Sequence, residues 1–182
     1  MENKGIDIEE YLKKIGFNKE ETEYIMQYGK NDIDKKALHE KIKYLISLGL
    51  DARQIRIVIE EDMTFVTTEL KLIMENGTIL KDYLKEKEIK NTLEVTPELL
   101  TMKKGELEQN IRLLNLMIPN QTEQKIIMQD RGEILTYKPD YLSNKFSFFV
   151  EKGLKDNILK IIIENVEVFD LENDEINIEE LK

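Results

Sequence analysis

A short signature recurs along this chain at a nearly constant step, and that recurrence excludes most folds. It is clearest as Pro97-Glu98-Leu99-Leu100-Thr101 and Gly132-Glu133-Ile134-Leu135-Thr136. Worn copies stand at Met63-Thr64-Phe65-Val66-Thr67 and Val166-Glu167-Val168-Phe169-Asp170. Aligned on their fourth residues (Val66, Leu100, Leu135 and Phe169), the copies are 34 or 35 residues apart. A period of that length marks a stack of supersecondary units that bury their apolar faces against one another.

Between signatures the apolar residues fall three or four apart, the spacing of one helical face. A first helix in each unit carries Leu38/Ile42/Leu45, Ile73/Gly77/Leu80, Leu107/Ile111/Leu114 and Leu142/Phe146/Phe149. A second carries Ile55/Ile59, Ile89/Leu93, Gln124/Met128 and Ile158/Ile162. The β-branched runs Ile55–Ile59 and Ile161–Ile163 occupy second-helix positions, so they read as buried helix rather than strand. Gly16, Gly49, Pro119 and Gly153 stand where first helices end, and glycine there suits a left-handed C-terminal cap. Asn18, Asp51 and Thr122 are the expected starts of second helices.

The expected fold is therefore all-α, a curved solenoid of about five two-helix repeats in a single domain. Its units run over about 6–34, 35–67, 68–101, 102–136 and 137–170, with an acidic C-terminal cap at 171–182. Gly77 replaces the Ile or Phe of other copies, which predicts either a break in that helix at Asn76-Gly77 or a close neighbour; the break is preferred. Ile176, Ile178 and Leu181 are expected to form a short helix closing the end.

The Gly-Leu turns at Gly49-Leu50 and Gly153-Leu154, with the Pro97–Thr101 signature ending a unit, resemble the repeats of the mitochondrial transcription termination factor family. The resemblance covers roughly residues 6–172. It implies two α-helices and a short 3₁₀ segment per unit, and a superhelix that binds double-stranded nucleic acid in a basic groove. Against that pattern, Met63, Gly132 and Val166 stand where Pro97 stands, and the only arginines are Arg53, Arg56, Arg112 and Arg131.

Residue chemistry argues against an enzyme. Without cysteine, and with His39 as the single histidine, thiolate nucleophiles and His/Cys metal clusters cannot be built. Asp170, Glu172 and Asp174 begin like a calcium loop, but Glu175 replaces its glycine and Leu181 its last carboxylate. No metal or other cofactor is expected. The start of the chain, Met1–Gly5, lacks the build of a secretory leader, and no apolar run is long enough for a membrane span, so a cytoplasmic protein without a membrane partner is expected.

Charge bears on the partner. The net charge of −10 repels a polyanion on average, which favours a partner protein over nucleic acid. The distribution is uneven: residues 101–150 hold seven basic and six acidic side chains, whereas 151–182 hold four and ten. Two surfaces are candidates. One is a basic stripe of Lys103, Lys104, Arg112, Arg131, Lys138 and Lys145, suited to phosphate. The other is an acidic surface of Glu172, Asp174, Glu175, Glu179 and Glu180, which could imitate a phosphate backbone. The function expected from sequence is thus a non-enzymatic helical-repeat module that engages a protein, with a nucleic-acid-binding regulator as the alternative.

Overall fold

The computed structural model describes residues 7–28 and 33–182. Met1–Gly5, where the leader reading falls, and residues 6 and 29–32 of the first expected unit lie outside the described residues. The described residues are helical and contain no strand. They fall into two compact units, Met1–Thr101 and Met102–Lys182, divided where the third expected repeat meets the fourth.

In the first unit, α1 (Ile8–Lys14) and α2 (Lys19–Met26) precede α3 (Lys35–Ser47) and α4 (Ala52–Glu61). A 3₁₀ segment, Met63–Val66, leads to α5 (Leu70–Tyr83), α6 (Glu86–Val95) and a second 3₁₀ segment, Pro97–Leu100. The second unit holds α7 (Glu106–Met117), α8 (Gln121–Asp130) and a 3₁₀ segment at Gly132–Thr136. Then come α9 (Pro139–Glu151), α10 (Ile158–Glu164) and 3₁₀ segments at Val166–Phe169 and Ile178–Leu181. Each recurring signature is thus a 3₁₀ turn. Its fourth residue is a core anchor: Val66, Leu100, Leu135 and Phe169 are all buried.

Within each unit, like packs on like. α3 lies against α5 and α4 against α6; in the second unit α7 lies against α9 and α8 against α10. The apolar trios of the first helices are buried throughout, as are Ile55, Ile59, Ile158 and Ile162. The β-branched runs are helix, as expected.

The turns show how local chemistry sets these boundaries. Gly49 (φ +89°) and Gly153 (φ +75°) adopt the left-handed conformation after α3 and α9. There the Leu50 N–H donates to the Leu45 carbonyl, and Leu154 to Phe149, closing the wide loop of a Schellman cap. Leu50 and Leu154 are thereby driven into the core. Asn18 and Asp51 cap α2 and α4 through reciprocal hydrogen bonds with Glu21 and Gln54. For α8 the cap is Asn120, two residues before the expected Thr122; its side chain accepts from the N–H groups of Thr122 and Glu123.

Gly77 corrects an expectation. α5 runs through it unbroken. A Cβ at Gly77 would lie 2.3 Å from the Tyr44 hydroxyl oxygen on α3. That hydroxyl donates to the Met74 carbonyl at 3.3 Å. The glycine is space for a neighbouring ring, and tight helix packing outweighs its poor helix propensity.

The C-terminal closure is a short 3₁₀ helix, Ile178–Leu181, as expected. Ile176 and Leu181 are buried. The Asn157 amide donates to the carbonyls of Leu181 and Lys182, tying the chain end to the start of α10.

Candidate functional site

A 3₁₀ turn leaves its last carbonyls without local partners. In each of four repeats a buried donor from the first helix meets that need. Lys41 on α3 donates to the carbonyls of Phe65 (3.3 Å) and Val66 (2.7 Å). Asn76 on α5 donates to Leu100 at 3.1 Å. Asn110 on α7 donates to Leu135 (2.8 Å) and Tyr137 (2.6 Å). Lys145 on α9 donates to Leu171 and to the Asn173 side chain. All four donors are at most 4% exposed. Burial pushes the Lys41 and Lys145 amines below the usual lysine range. For Lys145 the nearby charges of Glu172, Asp170 and Glu175 act in the opposite sense and only partly offset that burial.

This device redraws the basic stripe. Lys145 is an interior donor with no exposed charge to offer a ligand. Arg131 is half-buried, and its Nε and Nη2 donate to the Ile163 carbonyl at 3.1 and 3.0 Å, at the end of α10. Arg112 is exposed on α7 and paired with Glu108 one turn earlier. Lys103, Lys104 and Lys138 are exposed, with no ion pair among the described residues. Lys103 and Lys104 lie in the turn before α7, and Lys138 stands at the N-cap position of α9 without a capping side-chain bond. The remaining arginines are also engaged. Arg53 pairs with Glu94; Arg56 pairs with Glu60 and donates to the Gly16 carbonyl at 2.6 Å.

All five carboxylates of the acidic surface are exposed. Three of them serve the local chain. Glu175 accepts from the Glu172 N–H, Glu180 from the Asn177 amide, and Glu179 pairs with Lys182. Glu172 and Asp174 make no side-chain hydrogen bond or ion pair among the described residues. Beside this surface a ring cluster joins Tyr137, Tyr141, Phe146, Phe149 and Phe169. The Tyr137 hydroxyl donates to Asp170, and burial, the largest influence, together with that bond holds its proton more tightly than usual.

No group of three or more His, Asp or Glu side chains among the described residues is placed to hold a metal ion. His39 lies half-buried on α3, and its Nε2 has no hydrogen-bond partner. The second unit offers charged surfaces on a helical frame.

The interior donors escape a reading of the sequence that looks only for apolar periodicity. Each stands one residue before the middle of its trio, as Lys41, Asn76, Asn110 and Lys145, 34 or 35 apart. A polar residue recurring with the period of the core was the available signal.

Among known families, the mTERF family model matches residues 20–175. No curated protein matches the chain significantly.

Proposed function

Because the chain belongs to the mTERF family, we propose that it is a non-enzymatic helical-repeat protein that binds nucleic acid through the edge carrying Lys103, Lys104 and Lys138. The single observation behind this reading is the family match over residues 20–175. The family resemblance implies a double-stranded ligand, and the three unpaired lysines are the groups suited to touch its phosphates. Arg112 joins them if it exchanges Glu108 for phosphate.

On this reading the number of exposed cations gives the expected salt dependence. Each phosphate neutralised on B-DNA contributes about −0.9 to the slope of log K against log salt. Three or four contacts therefore give a slope of about −3 to −4. Fluorescence anisotropy with a labelled duplex, titrated with salt, tests this. Binding that weakens with that slope supports the reading; no binding at low salt removes it.

A second reading rests on a different observation. Glu172 and Asp174 are exposed and free of hydrogen bonds and ion pairs among the described residues. In that reading the acidic surface occupies a basic site on a partner protein, as a phosphate mimic. A pull-down from native lysate, run with and without nuclease, separates the two. Recovery of a defined basic protein that survives nuclease supports the protein partner. Recovery lost with nuclease supports nucleic acid. We assign the protein to the cytoplasm on either reading, which cell fractionation tests; among the described residues no helix is long and apolar enough to cross a membrane.

A further inference from the structure

The second unit repeats one exposed position with a change of sign. Three residues after the anchors Leu100, Leu135 and Phe169 stand Lys103, Lys138 and Glu172. All three are exposed. The backbone just before Lys138 is held by Asn110, which donates to the Tyr137 carbonyl at 2.6 Å. The backbone just before Glu172 is held in the same way by Lys145, which donates to the Leu171 carbonyl. Asn110 and Lys145 are themselves equivalent, each one residue before the middle of its trio. At Lys138 and Glu172 the preceding carbonyl is therefore held alike while the presented charge differs. Lys138 and Glu172 occupy the same place in successive repeats, and one attracts phosphate where the other repels it.

We propose that Glu172 is a specificity residue that ends the phosphate-contacting edge. It confines an anionic ligand to the part marked by Lys103 and Lys138 and keeps a phosphate backbone off the last repeat. Asp174 and Glu175 strengthen this exclusion, since both are exposed carboxylates within three residues of it. The Glu172 side chain makes no hydrogen bond or ion pair among the described residues; its charge does favour the buried Lys145 ammonium, so each variant's melt is read beside its binding. The inference rests on the nucleic-acid reading above.

The test compares wild type, Glu172→Gln, Glu172→Lys and Lys138→Ala, each the full chain, by anisotropy with one labelled DNA duplex across a salt series. Glu172→Lys is expected to bind more tightly and to steepen the salt slope by about 0.9, the signature of one added phosphate contact. Glu172→Gln, which removes repulsion without adding a cation, is expected to bind more tightly with the slope unchanged. Lys138→Ala is expected to lose about 0.9 of slope. If wild type binds and both Glu172 variants bind as wild type does, the stop is rejected while nucleic-acid binding stands. If Lys138→Ala also matches wild type, the edge is rejected as the site. If no form binds at low salt, both this inference and the function beneath it are overturned.

Discussion

Two rows of side chains in the second unit differ in almost every physical respect, although residues from both look like surface polar groups in the sequence. The interior row, Asn110 and Lys145, is at most 3% exposed and donates to backbone carbonyls. The edge row, Lys103, Lys138 and Glu172, is exposed and carries no ion pair among the described residues. One row fixes the backbone that presents the other. The contrast teaches that in this repeat polarity alone does not mark function. A lysine facing inward holds a 3₁₀ turn in place, and a lysine three residues past the anchor is exposed. Substitution of the interior row should change stability, and substitution of the edge row should change binding.

The largest effect should come from Asn110→Leu. It removes the donor for two carbonyls, and leaving a buried polar group unpaired costs about 1–3 kcal/mol each. A loss of about 2–6 kcal/mol is expected from the urea midpoint at unchanged m. A change under about 0.5 kcal/mol, the size usual for surface substitutions, would place Asn110 with the edge row instead. Gly77→Ala comes next. Its Cβ would fall 2.3 Å from the Tyr44 hydroxyl, and overpacking of this kind costs about 1–3 kcal/mol despite alanine's better helix propensity. Adding Tyr44→Ala should recover part of that loss, and a double-mutant cycle reads the coupling. Strict additivity would show that the two sites do not meet.

Lys41→Met tests whether a charged interior donor differs from a neutral one. The lost hydrogen bonds to Phe65 and Val66 are partly offset by relief of a desolvated charge, so a net loss of about 1 kcal/mol is expected. The sign with pH is definite. Burial lowers the folded-state pKa of Lys41 below its unfolded value of about 10.4. Between those two values the unfolded chain binds more protons, so this lysine adds stability as pH rises. The difference between wild type and Lys41→Met should therefore grow from neutral pH toward pH 10, read by melts of both proteins in matched buffers. A difference that is flat over that range would mean the amine is solvated in the folded state.

Much of this frame was legible in the sequence because it follows from spacing. The step of 34 or 35 between Val66, Leu100, Leu135 and Phe169 places the 3₁₀ turns. The trios place the first helices, and glycine before leucine places the turns after α3 and α9. What escaped depends on distant partners. Lys145 and Arg131 count as cations by composition, but their carbonyl acceptors at Leu171 and Ile163 come from chain 26 and 32 residues away. Gly77 reveals its helix-breaking tendency in sequence but not the Tyr44 ring that requires it. Of the candidate basic stripe, Lys103, Lys104, Arg112 and Lys138 are exposed, and Arg131 and Lys145 are turned toward backbone carbonyls. The lysines of the turns before α7 and α9 remain exposed, whereas Lys145, one residue before the middle of its apolar trio, is drawn inward.

The smallest stability effect should be that of Arg112→Ala, and it bears most directly on how the two rows divide the work. Arg112 is exposed and paired with Glu108 one turn earlier on α7. Exposed pairs at that spacing contribute about 0.3–0.5 kcal/mol, so the melt should barely move. Its part in binding is a separate matter. If Arg112 leaves Glu108 for a phosphate, the variant loses about 0.9 of salt slope and weakens binding alike for every duplex sequence, because a phosphate contact carries no base information. If Arg112 stays with Glu108, Arg112→Ala leaves the slope unchanged, and the edge consists of Lys103, Lys104 and Lys138. A loss of several kcal/mol in stability would instead place Arg112 with the interior row and undo the division between frame and ligand surface.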